Sequence, residues 1–184
     1  KNLKSINSQT IRCASIINSI LSFIRNTATS SGYHKVNEII KEVLTYVKYQ
    51  DTFNEITISK YLKDDLLVYG DRSRYIQVFL NVITNAISAM NGCGILKIIT
   101  KYKQPSYTLI EINDTGPGIE DKNEGKIFDP FFTTKEPGKG TGLGLAIVYK
   151  IVQESNGKIW FKSTPGNTSF YIKLPSEKVS AHEA

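Results

Sequence analysis

Two glycine clusters and one carboxylate carry the chemistry open to this sequence. Asp114-Thr115-Gly116-Pro117-Gly118-Ile119 ends an apolar run, Tyr107 to Ile112, with a tight turn. About twenty residues later comes Gly138-Lys139-Gly140-Thr141-Gly142-Leu143-Gly144-Leu145, directly before a helical pattern. Glycines at this density let backbone N–H groups approach a ligand with no side chain in the way. A helix opening straight after them offers unpaired N–H groups and a positive dipole end to phosphate. The arrangement predicts a nucleotide pocket with Asp114 at one end and Gly140 to Gly144 at the other. The alternative is a flexible surface loop, since glycine also marks loops.

Two other glycine motifs are excluded by spacing. A Walker A loop requires Ser or Thr after its Gly-Lys, but Gly138-Lys139 is followed by Gly140 and has no glycine five residues before it. A dinucleotide fingerprint starting at Gly140 or Gly142 would need its third glycine where Leu145 or Ile147 stands, and a polar loop precedes it instead of a strand.

The elements that must position these groups are legible in the periodicity. Residues Arg72 to Met90 read as a long helix with Asp71 as N-cap and an apolar face of Ile76, Phe79, Leu80, Ile83, Ala86, Ile87 and Met90. Opposite runs a polar stripe, Gln77, Asn81, Asn85 and Ser88, on one side of the helix. It reads either as solvated surface or as one wall of a site. Its lack of Lys and Glu favours the site, because long charged side chains dominate ordinary surface. Val36, Ile39, Ile40, Val43, Leu44 and Val47 mark a second helix, and Leu145, Val148, Ile151 and Val152 a third that stops at Asn156-Gly157. Strands are predicted over Glu55–Leu62, Leu66–Tyr69, Ile95–Tyr102, Tyr107–Asn113, Lys158–Lys162 and Ser169–Leu174.

The first segment is different. Leu3, Ile6, Thr10, Cys13, Ile17, Ile20 and Ile24 step by three and four alternately, a heptad stripe that predicts docking on a partner helix rather than on its own domain. The expected division is this helix over 1–29, a linker over 30–34, one domain over 35–176 and a frayed tail over 177–184.

At 184 residues with 40% hydrophobic content, the chain suffices for one domain and an appendage. Its net charge of +6 is spread along the chain with no nucleic-acid motif, so DNA and RNA are not expected partners. Cys13 and Cys93 are isolated and form no metal or disulfide pattern. No apolar run approaches membrane-spanning length, which predicts a soluble, cytoplasmic piece without membrane contact, and Lys1 in place of Met suggests a fragment.

The order is now complete: a helix with two Asn at i and i+4, a strand pair, Asp-Thr-Gly-Pro-Gly-Ile, Phe128-Asp129-Pro130-Phe131-Phe132-Thr133-Thr134-Lys135, the second glycine cluster, and a helix. Over about residues 35 to 175 this resembles the ATP-binding domain of bacterial two-component sensor histidine kinases, within the superfamily that includes DNA gyrase. The Phe-Phe-Thr-Thr-Lys wording and the Asn-Ala-x-x-Ala-Met end of the Asn helix resemble the nitrogen-regulation type. Residues 1 to 28 look like the second helix of that family's dimerisation hairpin, carrying Ile16-Ile17-Asn18-Ser19-Ile20-Leu21-Ser22-Phe23.

The resemblance implies an α/β two-layer sandwich: a mixed, mostly antiparallel sheet covered on one face by three helices, preceded by the long dimerisation-type helix. It implies ATP and Mg²⁺ as cofactors. Asp114 would accept from the adenine amino group, Gly116 and Gly118 would keep the turn open beneath the base, and Ile119 would wall it. Asn85 would ligate Mg²⁺, with Asn81 beside the same phosphates. Lys135 and Lys139 would meet the β- and γ-phosphates from a lid over Glu120–Lys139, predicted to move without nucleotide. Gly140, Gly142 and Gly144 would offer backbone N–H groups, Thr168 would reach the adenine pocket, and Ser88, Phe132, Thr141, Leu143 and Leu145 would complete the surroundings. Asn81 and Lys135 are the catalytic candidates. The implied partners are ATP or ADP, the chain's own dimerisation hairpin in a homodimer, and a response regulator receiver domain.

One position separates kinase from hydrolase within this resemblance. Hydrolysing members carry Glu four residues before the Mg²⁺-binding Asn, as do the serine kinases and anti-sigma factors, whereas Asn81 stands there now. An amide takes no proton near neutral pH, so fast hydrolysis is disfavoured. The acceptor histidine is missing: His34 is expected in the linker and His182 in the tail, both as solvated surface. The sequence therefore predicts the donor half of a histidine kinase, the alternative being an ATP-hydrolysing or purely ATP-binding module.

Overall fold

The structure is a computed structural model that describes residues 31–48, 55–64, 66–103, 106–136 and 140–178. The expected helix over 1–29, the tail beyond 178 with His182, and Lys139 lie outside the described residues. In chain order the elements are β1 (Gly32–Lys35), α1 (Val36–Lys48), β2 (Glu55–Leu62), β3 (Leu66–Gly70), α2 (Arg72–Ala89), β4 (Cys93–Lys103), β5 (Tyr107–Asp114), α3 (Asp121–Glu124), α4 (Gly144–Glu154), β6 (Lys158–Thr164) and β7 (Asn167–Lys178). The strands form one sheet in the order β1-β3-β7-β5-β4-β2, with β6 also paired to β7. Only β2 and β4 pair in parallel among the described strands. Their connection runs through β3 and α2, as a parallel pair requires a crossover. This is the expected mixed, mostly antiparallel sheet with helices on one face.

Period-two alternation decides which face is covered. β5 buries Thr108, Ile110, Ile112 and Asp114 and leaves Tyr107, Leu109, Glu111 and Asn113 half-exposed. The buried row meets Ile39, Ile40 and Val43 of α1, Phe79 and Ile83 of α2, and Val148 and Val152 of α4 in one core. Asp71 caps α2 as its sequence suggests, accepting from the Ser73 N–H at 2.8 Å.

Three expectations are corrected. The buried face of α2 is turned toward Tyr75, Val78 and Val82, all 0% exposed, while Ile76 and Leu80 are only partly buried. The helix lies between α1, α4 and the sheet, so neighbours on three sides widen the arc it buries. Gly32 to His34, expected in the linker, form β1 against β3. His34 is half-buried there, its Nε2 3.1 Å from the Gly70 carbonyl oxygen, and is not a free surface residue.

A buried polar knot absent from the sequence reading joins three elements. Asn37 Nδ2 donates to the Lys63 carbonyl at 2.7 Å, the Lys63 N–H donates to Thr100 Oγ1 at 2.9 Å, and the Thr100 hydroxyl donates to Asn37 Oδ1 at 3.1 Å. Each buried polar atom finds a partner, so the knot fixes α1 over the sheet without the cost of an orphaned group.

Candidate functional site

β5 delivers Asp114 at the sheet's end as the last of its inward-facing residues, 3% exposed. Its Oδ1 accepts from the Gly116 N–H at 2.9 Å. Burial pushes the carboxyl above the usual carboxylate range, and the Gly116 hydrogen bond opposes this in part. A methyl at Gly116 would stand 2.7 Å from Asp114 Oδ1 and 3.2 Å from Ala89 Cβ, so the turn can lie against the carboxylate only without a side chain.

The β6–β7 hairpin fastens this turn. Gly166 donates its N–H to the Gly116 carbonyl at 2.9 Å, and the Ile119 N–H donates to Ser163 Oγ at 2.8 Å. Ser163 Oγ lies 2.9 Å from Thr168 Oγ1, and Thr168 pairs with Asp114 across β5 and β7. Asp114, Thr168, Ser163 and the Gly-Pro-Gly turn thus form one connected floor. Sequence reasoning missed Ser163, although the register of a tight hairpin about Pro165-Gly166 sets it opposite Thr168. Ser163→Ala would leave the Ile119 N–H without its acceptor. One neutral hydrogen bond is worth about 0.5–1.5 kcal/mol, so ADP should bind about three- to tenfold more weakly by calorimetry, with Ser163→Thr restoring it. Unchanged affinity would remove Ser163 from the site.

The other end of the site lies between α2 and α4. Asn81 Nδ2 donates to the Gly144 carbonyl at 3.2 Å. A Cβ on Gly144 would stand 3.7 Å from Asn85 Nδ2 and 3.8 Å from Asn81 Cγ, so both asparagines of the polar stripe face the first turn of α4. Ser88 and Gln77 lie on the same helix, Ser88 exposed and Gln77 half-buried. Helical bonding in α4 begins with the Ile147 N–H to the Leu143 carbonyl at 2.9 Å, and no side chain caps the helix. The N–H groups of Gly144, Leu145 and Ala146 therefore lie ahead of the first helical bond, the arrangement that favours an anion.

The segment between the two ends is anchored on α4, on β6 and on the second glycine cluster. Ile127 is buried and Phe128 packs on Tyr149 and Phe161, with ring centroids 5.5 and 6.3 Å away. The Phe131 N–H donates to the Gly142 carbonyl at 2.9 Å, and both residues hold φ of 67°. Thr133 Oγ1 accepts from the Lys135 N–H at 3.2 Å and would meet a Cβ on Gly140 at 2.6 Å. Lys135 is half-buried, and burial pulls its ammonium below the usual lysine range. Thr141 accepts from the Leu143 N–H at 3.3 Å. Leu143 is 2% exposed and belongs to the core, so only its backbone is available to a ligand. Ile119, Phe132 and Leu145 pack partly buried against the same core.

Residues 70–178, from the foot of α2 to the end of β7, match the family described as histidine kinase-, DNA gyrase B- and HSP90-like ATPase. The chain belongs to that ATPase family. Three sporulation kinases of Bacillus subtilis, C, E and A, are 35%, 32% and 36% identical over 87%, 92% and 79% of this chain. The chain spans 37%, 23% and 24% of their lengths. The catalytic domain of histidine kinase ThkA is 34% identical, with a TM-score of 0.69 over 80% of this chain and 98% of its own. A second structure, ThkA in complex with the response regulator protein TrrA, superposes with a TM-score of 0.77 at 29% identity over 95% of this chain and 50% of that one. The chain is thus an ATP-binding domain of the sensor histidine kinase type within this ATPase family.

The donor set also suits the metal that the family implies. Among the described residues no cluster of three or more His, Cys, Asp or Glu could cage an ion. Magnesium does not require one, because it keeps several waters and takes phosphate oxygens with one or two protein ligands. The half-buried Asn85 amide, facing the start of α4, fits that demand. No helix among the described residues is long and apolar enough to cross a membrane.

Proposed function

We propose that this chain binds Mg-ATP and donates its γ-phosphoryl group to a histidine on a dimerisation hairpin, for relay to a response regulator. The observation that carries this is the buried Asp114 carboxylate, one oxygen of which is held by Gly116. A carboxylate so placed selects an N–H donor and rejects a carbonyl, which distinguishes adenine from guanine. Thr168 and Ile119 complete the base pocket, and the phosphates run toward Gly140, Gly142 and the open N–H groups of α4. Lys135 would meet the β- and γ-phosphates, with Lys139, outside the described residues, as the second candidate cation. Asn85 would hold Mg²⁺ through its amide oxygen, which would neutralise charge on the phosphate oxygens.

In the transfer, the bond from the γ-phosphorus to the β-phosphate oxygen breaks as a bond to an imidazole nitrogen forms, and ADP departs with the electron pair. Little covalent work falls to the protein, so positioning dominates. Asn81 contributes as a positioning residue: its NH₂ group holds the start of α4, and an amide activates no water. His34 is no acceptor, being half-buried in β1 against the Gly70 carbonyl. The complex of the related kinase ThkA with a response regulator supports the receiver domain as the next partner. We place this exchange on the cytoplasmic side.

The test mixes the chain with γ-labelled ATP and a separately prepared dimerisation hairpin. The expected result is acid-labile label on the hairpin and none on the chain alone. Rapid phosphate release with no label on either protein would replace the kinase with a hydrolase.

A further inference from the structure

The sheet face away from the helices carries an ordered pattern that nucleotide binding does not use. Along one cross-strand row stand Tyr61, Ile99, Glu111, Tyr171 and Trp160, on β2, β4, β5, β7 and β6 in turn. Two residues along the strands on one side, the row holds Lys97 and Lys162; on the other side it holds Lys101, Lys173 and Lys158. An aromatic and aliphatic band is thus bordered on both sides by lysines. Tyr61 is 60% exposed, Lys101, Lys158 and Lys162 are exposed, and no described helix covers the face. The Arg72–Glu42, Arg74–Glu154 and Lys122–Glu120 ion pairs involve none of these lysines.

We infer that this open sheet face docks an acidic amphipathic helix of a partner protein, its apolar stripe on the aromatic row and its carboxylates on the two lysine rows. The dimensions agree. Rows four residues apart along strands lie about 13 Å apart, which brackets a helix roughly 10–12 Å across. Five strands span about 19 Å, the length of about thirteen helical residues. Glu111, in the middle of the band, accepts from Ser169 Oγ at 3.4 Å and calls for one donor or cation in the helix's apolar stripe, which fixes its register.

Charge and ring geometry choose this occupant over others. Residues 1 to 30 of the chain carry Lys1, Lys4, Arg12 and Arg25 and no acid, so the lysine rows repel them. A nucleic-acid base needs an open ring face. The Trp160 and Tyr171 rings are stacked on each other, 5.3 Å between centroids and 12° from parallel. Lysine ammonium groups lie over Tyr61 of the row, Lys97 at 5.6 Å, and over the neighbouring Tyr107, Lys173 at 3.7 Å. A membrane surface favours aromatics that reach into the interface, whereas Trp160 stays half-buried in its stack.

Trp160 is the chain's one tryptophan and sits in the band, so its emission reads occupancy directly. The whole chain is titrated with a fourteen-residue helical peptide of about that designed length, bearing a Leu stripe and Glu flanks, and with its Lys-flanked twin. The acidic peptide should shift Trp160 emission saturably, more weakly as salt rises, and the twin should not. In Lys101→Glu/Lys162→Glu the acidic peptide should bind about tenfold or more weakly, with ADP affinity unchanged. No emission change, or equal responses to both peptides, overturns the inference. So does a stronger response to phosphatidylserine vesicles or oligothymidylate, which would give the face to a membrane or a nucleic acid.

Discussion

Asp114→Asn is expected to weaken ADP binding by about ten- to a hundredfold while leaving the nucleotide-free protein as stable as before or more so. The two effects come from one fact, the burial of a carboxylate that has a hydrogen bond but no described cation beside it. In the substituted protein the amide oxygen can still accept from the Gly116 N–H. The atom left to face the adenine amino group is then NH₂, a donor opposed to a donor. A hydrogen bond to a charged group is worth about 1.5–3 kcal/mol, which sets the expected loss.

The stability change has a definite sign. Burial raises the folded-state pKa of Asp114 above its unfolded value. Between those two values the folded protein holds more protons, so stability falls as pH rises through that window and stays lower above it. The charge therefore costs stability at neutral pH, and the amide removes that cost. Asp114→Asn should match or exceed the parent's Tm at neutral pH, with the difference vanishing in acid, where both side chains are neutral. Unchanged ADP affinity by calorimetry would dissolve the pocket. A lower Tm at neutral pH would make Asp114 a structural support instead.

What the sequence made legible follows the range of each interaction. Asp114 and its turn were readable because a strand end, a carboxylate and a Gly-Pro-Gly turn are all local chemistry. The same holds for Asp71, whose capping bond spans two residues. The Asn81–Asn85 wall was readable as a stripe, since helical geometry alone puts those residues on one side. That it faces Gly144 depends on how α2 packs against α4, 63 residues away, and no local pattern states it. The buried arc of α2 was misjudged for the same reason: periodicity finds the centre of an apolar face, but neighbours set its width. β1 escaped because Gly32-Tyr33-His34-Lys35 carries almost no apolar alternation, and its partner β3 lies some 36 residues on. β7 runs past its expected end because Pro175 removes only one donor and the Ser176 N–H resumes pairing with the Ser106 carbonyl. Phe131 gave no signal at all. An aromatic residue at φ 67° is a tertiary outcome, held by the backbone it leans on.

That contact sets the second large effect. Gly142→Ala should lower nucleotide affinity about a hundredfold with little change in Tm. Gly142 holds φ +67°, a region that costs an L-residue about 1–2 kcal/mol. A Cβ there would also stand 2.3 Å from the Phe131 carbonyl carbon and 2.5 Å from its oxygen, closer than such atoms approach. Backbone cannot swing aside like the end of a side chain, so the two segments must part and the Phe131–Gly142 hydrogen bond must break. Phe131 then loses the partner that keeps it at positive φ, a conformation costing about 1–3 kcal/mol and maintained only by its surroundings. Both changes displace Gly140 to Leu143 from the start of α4, where N–H groups await phosphate, and two hydrogen bonds to a charged group lost at about 1.5 kcal/mol each amount to about a hundredfold in affinity. The core beneath is untouched, so the sheet and its helices should melt as before. Gly125→Ala is the control in the same segment: Gly125 has φ −71° and nothing within 4 Å of an added Cβ, so ADP affinity should stay within about twofold. If Gly142→Ala binds ADP as the parent does, the glycine cluster is a spacer and the phosphates lie elsewhere.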